Sequence, residues 1–163
     1  MREEIRRMFC EYPLRITELR VLELQLSNFQ GVDGDEVIQS MCFASPKGDR
    51  VQTSGHTDRT AKVAISYRRV KARMDDEYFD YLMEHHRQLR EELDFFISGI
   101  NSLSGNLSNV IGDLVIEGIN WQGLMEKYQV SHAMIGKYRK KALEELEEFY
   151  RIRDRHAENF MLS

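Results

Sequence analysis

From Asp58 to Ser98 the chain contains no glycine and no proline, and its apolar and aromatic residues step by threes and fours. Val63, Tyr67, Val70, Met74, Tyr78, Tyr81, His85, Leu89, Leu93, Phe96 and Ile100 form one stripe. That spacing predicts a single amphipathic helix starting at Thr57 or Asp58 and running to Gly99. Some forty helical residues reach roughly 60 Å, more than the interior of a compact globule. Such a helix needs a companion along its stripe, either another helix of the same chain or a second copy.

Pro13 supplies the start of a companion, because proline suits the first turn of a helix. Ile16, Leu19, Leu22, Leu26 and Phe29 follow at threes and fours, which carries that helix to about Gln30. Gly31–Gly34 is a turn, and Asp35 is placed to cap a short helix through Val37, Ile38 and Met41. From Phe43 to Thr57 the composition turns to Ser, Pro, Gly, Lys and Thr. This reads as an exposed loop, with a brief strand compatible with Arg50–Thr53. Asn101–Asn106 marks a boundary, after which a helix from about Ser108 to Glu117 leads into the C-terminal segment. The expected fold is all-α, an elongated N-terminal helical hairpin or coiled-coil arm (1–100) followed by a three- to four-helix domain (101–163).

That last domain holds the segment with most chemistry. Trp121, Leu124, Met125 and Tyr128 lie at i, i+3, i+4 and i+7, and Gln129-Val130-Ser131 breaks the pattern. Ser131 is a good N-cap for a second helix, on which Ile135, Tyr138, Ala142 and Leu146 share one face. Ala133, Gly136, Lys137 and Lys140 share the opposite one. Two helices joined so tightly read as a helix-turn-helix, whose second helix can enter a DNA major groove. On this reading His132, Ala133, Gly136, Lys137, Arg139, Lys140 and Lys141 are the DNA-binding residues. Lys137 and Lys140 reach bases or phosphates, while Arg139 and Lys141 flank the face and contact phosphates. Two positions depart from the usual pattern. Gln129 stands where glycine reaches φ > 0 cheaply, and Met125 stands where the helices cross and a small residue is usual. A helical hairpin with a purely structural role is the alternative reading of the same residues.

The chain's formal charge of −4 is not the basic balance of a nucleic-acid binder. The cations are local, however: Lys127, Lys137, Arg139, Lys140 and Lys141, ending abruptly at Glu144, Glu145, Glu147 and Glu148. Other clusters point to structure. Adjacent His85 and His86 diverge by about 100° on a helix, so they make a poor metal pair. Asp33, Asp35 and Glu36 lack calcium-loop spacing. Asp75-Asp76-Glu77 reads as a solvated helix face, and Thr57/Asp58 as a helix cap. No phosphate-binding glycine loop or nucleophile elbow is present, so neither enzymatic activity nor a cofactor or metal is expected. Cys10 and Cys42 are far apart, consistent with a reduced cytoplasmic protein. No apolar run is long enough for a membrane span, so no membrane partner is expected.

The stretch Gly118–Ser131, continued by Arg139–Leu143, resembles region 4 of bacterial sigma-70-type factors. More closely, it resembles the phage and prophage late-operon transcriptional activators of the RinA and ArpU type. The likeness takes in Tyr12-Pro13 and Ser54–Ala61, short elements whose order with the C-terminal motif adds weight. It implies a DNA-binding transcription regulator of a phage, prophage or mobile element in a Gram-positive bacterium. The implied partners are double-stranded promoter or operator DNA and RNA polymerase, with Lys137, Arg139, Lys140 and Lys141 on the DNA side; the long N-terminal helices, as an arm or dimer seam, add the expectation of a homodimer. The aromatics before Gly99 lie mostly on the apolar stripe, which favours activation from a bound site over stand-alone sigma activity. Two further readings remain open: a helical adaptor of RNA polymerase that does not touch DNA, and a small terminase subunit of a packaging machine.

Overall fold

The computed structural model describes residues 2–43 and 58–162. Among them the protein is all-α. The helices are α1 (Arg2–Ser27), α2 (Gly34–Phe43), α3 (Asp58–Asn101), α4 (Leu107–Val115), α5 (Trp121–Tyr128) and α6 (His132–Met161), and no strand occurs in the described residues. Of the loop expected over 43–57, Phe43 ends α2 and the rest lies outside the described residues, as does the strand expected at Arg50–Thr53. The chain folds as two compact units, one made of Met1–Arg20 with Gln88–Ser163 and the other of Val21–Arg87. Their seams differ from the division read at residue 100. The end of α3 packs with the C-terminal helices, so a boundary at Asn101 would pass through one core.

In the first unit α1 begins at Arg2 and holds Pro13 in its interior, a correction to the start expected at Pro13. Ile5, Met8 and Tyr12 explain it, being 1%, 4% and 8% exposed. An interior proline costs about 3 kcal/mol. Burying each of the three side chains returns roughly 1.5–3 kcal/mol, which together outweighs that cost. The Thr17 hydroxyl donates to the Pro13 carbonyl at 2.9 Å. Phe96 of α3 receives Phe9 edge-on at a centroid distance of 5.7 Å and Tyr12 at 6.1 Å.

Gly99 does not stop α3, which continues to Asn101. Its hydrogen is needed for packing: a Cβ there would lie 2.8 Å from Cδ2 of Leu146 on α6. Next to it Phe95 meets Tyr150 of α6 edge-on at 4.9 Å, and the Arg153 guanidinium lies over both rings at 4.7 and 4.6 Å. Helices α4, α5 and α6 pack on one another, burying Val110, Ile111, Val115, Leu124, Ile135 and Leu146 between them.

In the second unit α1 ends at Ser27 rather than near Gln30, and Phe29 turns onto α3, 6.0 Å from the ring of Tyr78 and 5.3 Å from Phe79. Glu23 meets His86 at 3.4 Å, so α1 and α3 run antiparallel here. Asp75 is not the solvated acid expected. It accepts the Val32 N–H at 2.6 Å and pairs with Lys71 at 3.0 Å. The Val32 bond, then Lys71, holds its carboxyl below the usual range. This contact fixes the turn at Gly31, whose φ of +98° favours glycine and where a Cβ would lie 2.9 Å from Asp75 Oδ1. Helix α2 opens at Gly34, which leaves Asp35 and Glu36 in its first turn, where acids suit the helix dipole.

Candidate functional site

Short-range chemistry builds the α5–α6 pair. Asn120 is extended, and its side chain accepts the N–H of Gly123 at 2.8 Å, which caps α5. Asparagine just before an apolar stripe is the signal in the sequence that marks this cap. Helix α5 closes on Gln129, which adopts φ 53° and ψ 45°. This is the left-handed geometry that a tight turn requires, here carried by a residue that costs on the order of 1 kcal/mol more than glycine. Ser131 is extended and accepts the N–H of Met134 at 3.3 Å, so it caps α6 as expected. Leu124 and Ile135 are wholly buried, while Val130 and Tyr138 are half-buried.

The opposite face of α6 is open. Ala133, Lys137 and Lys140 are exposed, and nothing lies within 4 Å of the place a Cβ would take on half-buried Gly136. These four residues stand at i, i+3, i+4 and i+7, which aligns them on one side of the helix. Arg139 is half-buried at one edge of the face. Lys141 is exposed on the far edge, 3.8 Å from Glu145. His132 opens the helix with its ring 4.4 Å from that of Trp121, so it braces the two helices as well as standing at the face's start.

Lys127 does not belong with these cations. Its ammonium contacts Asp113 of α4 at 2.5 Å, and the Tyr128 hydroxyl donates to the same carboxylate oxygen at 2.5 Å. The Lys127 and Tyr128 hydrogen bonds hold the Asp113 carboxyl below its ordinary value. Burial, then the bond to Asp113, pushes the Tyr128 phenol up to about 12. Two donors thus make Asp113 a staple between α4 and α5. A second staple involves Glu145, one of the acids that follow the cations. It accepts the Ser104 hydroxyl at 2.5 Å and the Ser104 N–H at 2.9 Å, which lowers its carboxyl and ties the α3–α4 turn to α6. Neither staple is legible in the sequence, where Lys127 counts among the local cations and Glu145 among the acids that follow, and no spacing pairs them with Asp113 or Ser104.

The two described histidines of the second unit have separate tasks. His85 stacks on Tyr81 at 6.1 Å, whereas His86 faces Glu23. Among the described residues no group of three or more His, Cys, Asp or Glu is placed to hold a metal, and no helix is long and apolar enough to cross a membrane. No family model, no curated protein and no solved structure matches the chain.

Proposed function

We propose that the α4–α6 head binds duplex DNA through the outer face of α6, and that the protein is a transcription regulator acting with RNA polymerase. The observation that carries this reading is the face formed by Ala133, Gly136, Lys137 and Lys140. Small residues leave its surface low, two exposed lysines stand on it, and a rigid capped turn fixes its approach. A helix so built can lie in a major groove, with long cationic side chains at its margins for phosphates. The sequence's likeness to sigma region 4 and to phage late-operon activators of the RinA and ArpU type supports the same reading. With Lys127 held by Asp113, at most four cations serve the face. One head therefore binds modestly, and two heads on a two-fold site would bind far more tightly.

The test is fluorescence anisotropy of a labelled duplex over a salt series. The double variant Lys137→Ala, Lys140→Ala should weaken binding at low salt and reduce the logarithmic salt slope by about 2. Unchanged affinity and slope would sink the proposal. The acids that follow directly on α6, from Glu144 to Glu148, favour a second reading, an adaptor that docks on polymerase without DNA. Capture of polymerase subunits from nuclease-treated lysate, with no DNA affinity, would establish that instead.

A further inference from the structure

Among the described residues two buried side-chain polar atoms lack a hydrogen-bond partner, the Tyr150 hydroxyl and Nε of Arg15. Both residues line the same open groove of about 750 Å³ in the first unit. One face each of α1, α3 and α6 walls this groove, and Met8, Phe95 and Tyr150 supply its apolar part. A space of that size suits a small organic ligand. Native chains keep buried polar atoms paired, so two orphans in one groove mark the place of a partner.

Charge says what kind of partner. Five carboxylates and three arginines line the groove, an excess of negative charge. Tyr150 is 6% exposed, and Glu92, Asp154 and Glu4 face its hydroxyl from three different helices, with Arg153 opposing them. Burial, against the pull of Arg153, pushes the phenol up to about 12, so it stays a neutral hydroxyl that can accept as well as donate. The carboxylates are not placed to share a metal ion, which leaves an organic cation. The chain's own Arg153 already models one. Its guanidinium lies over the Phe95 and Tyr150 rings and pairs with Asp154 at 2.9 Å. That pair is well exposed, hence weak enough for another cation to displace.

The Arg15 end asks for something else. Two of its nitrogens pair with Glu11 and Glu18 at 3.4 and 3.1 Å, so Nε–H is left to donate, among carboxylates, to a neutral oxygen. Glu4 and Arg15 stand eleven residues apart on α1, roughly 16 Å, the reach of about five extended peptide residues. A cation at one end with neutral oxygens strung behind it is the chemistry of a peptide's amino terminus.

We infer that this groove binds the amino-terminal end of a short peptide. The ammonium takes the place of the Arg153 guanidinium over the two rings, paired with Glu92 and Asp154, and donates to the Tyr150 hydroxyl. A backbone carbonyl farther along accepts Nε–H of Arg15. Peptide binding here is independent of DNA binding.

Isothermal titration calorimetry on the full chain tests it with penta-alanine amide, which has a free ammonium and carbonyls but no carboxylate. The peptide should bind, and its N-acetylated form about tenfold more weakly. Spermidine, with ammonium groups and no oxygen acceptor, should also bind more weakly than the peptide. Tyr150→Phe should lose about tenfold in affinity while Tm stays level or rises, because the free chain sheds an unpaired hydroxyl. Glu92→Gln, at an exposed position, should weaken the peptide about tenfold with the fold intact, and Arg153→Ala should tighten it by removing the competitor. No heat from penta-alanine amide at millimolar concentration overturns the inference. So does equal binding of the acetylated peptide or of spermidine, a Tyr150→Phe chain that melts lower, or an affinity that ignores Glu92→Gln or falls with Arg153→Ala.

Discussion

The two units use similar residues in opposite ways. Of the 21 buried hydrophobic side chains among the described residues, 18 belong to the first unit, and only Leu22, Val37 and Leu82 to the second. The second unit exposes Val21, Leu24, Ile38, Tyr78, Phe79, Tyr81 and Met83, and the first, with more than twice as many described side chains, exposes Leu14, Met134, Ile152, Phe160, Met161 and Leu162. The first unit is a closed core with carboxylate staples, able to hold a rigid face outward. The described part of the second unit is more surface than core. Stability should therefore be unequal along the chain, and the second unit should be the first to open.

The strongest way to break this comparison is to excavate each core in turn. Phe96→Ala should cost the first unit about 3–5 kcal/mol in denaturant unfolding. Leu82→Ala should cost less, about 2 kcal/mol, since its surroundings are sparse and can close up. Equal losses would mean that the second unit is packed as firmly as the first. Next in size is Asp113→Ala, with an expected loss of about 1–2 kcal/mol for two charge-assisted hydrogen bonds. Because the Asp113 carboxyl is lowered in the fold, its contribution is present above about pH 4 and fades as acid carries the solution down through the lowered value. The variant should flatten that acid limb of the stability curve, and the Tyr128 phenol should titrate below about 12. A third change should move the other way. Gln129→Gly relieves the left-handed turn and should stabilise the first unit by about 0.5–1 kcal/mol in thermal melting, offset in part by glycine's greater freedom when unfolded. No gain would mean that the glutamine side chain compensates for its own backbone.

What could be read ahead of the structure was short in range. The Ser131 cap, the left-handed Gln129, and the burial of Leu124 and Ile135 depend on neighbours a few residues away, where propensity and periodicity speak directly. The features that escaped depend on distant partners. Pro13 sits within a helix because Ile5, Met8 and Tyr12 bury against residues far along the chain. Gly99 passes as a helical residue because Leu146 needs its space. Asp75, Asp113 and Glu145 look like surface acids until Val32, Lys127 with Tyr128, and Ser104 come to meet them. Charge counted along a sequence does not say which cations are already engaged. This is why Lys127 left the basic face.

The contact between Trp121 and His132 has a practical consequence. The chain has one tryptophan, and it lies against the first residue of α6. Tryptophan emission, excited where tyrosine does not absorb, therefore comes from a single place in the molecule, at the joint of the head. A ligand that enters along α6, or a melt that parts α5 from α6, alters the surroundings of that indole directly. Without any label, one optical signal can follow the joint of α5 and α6 while circular dichroism follows the whole chain.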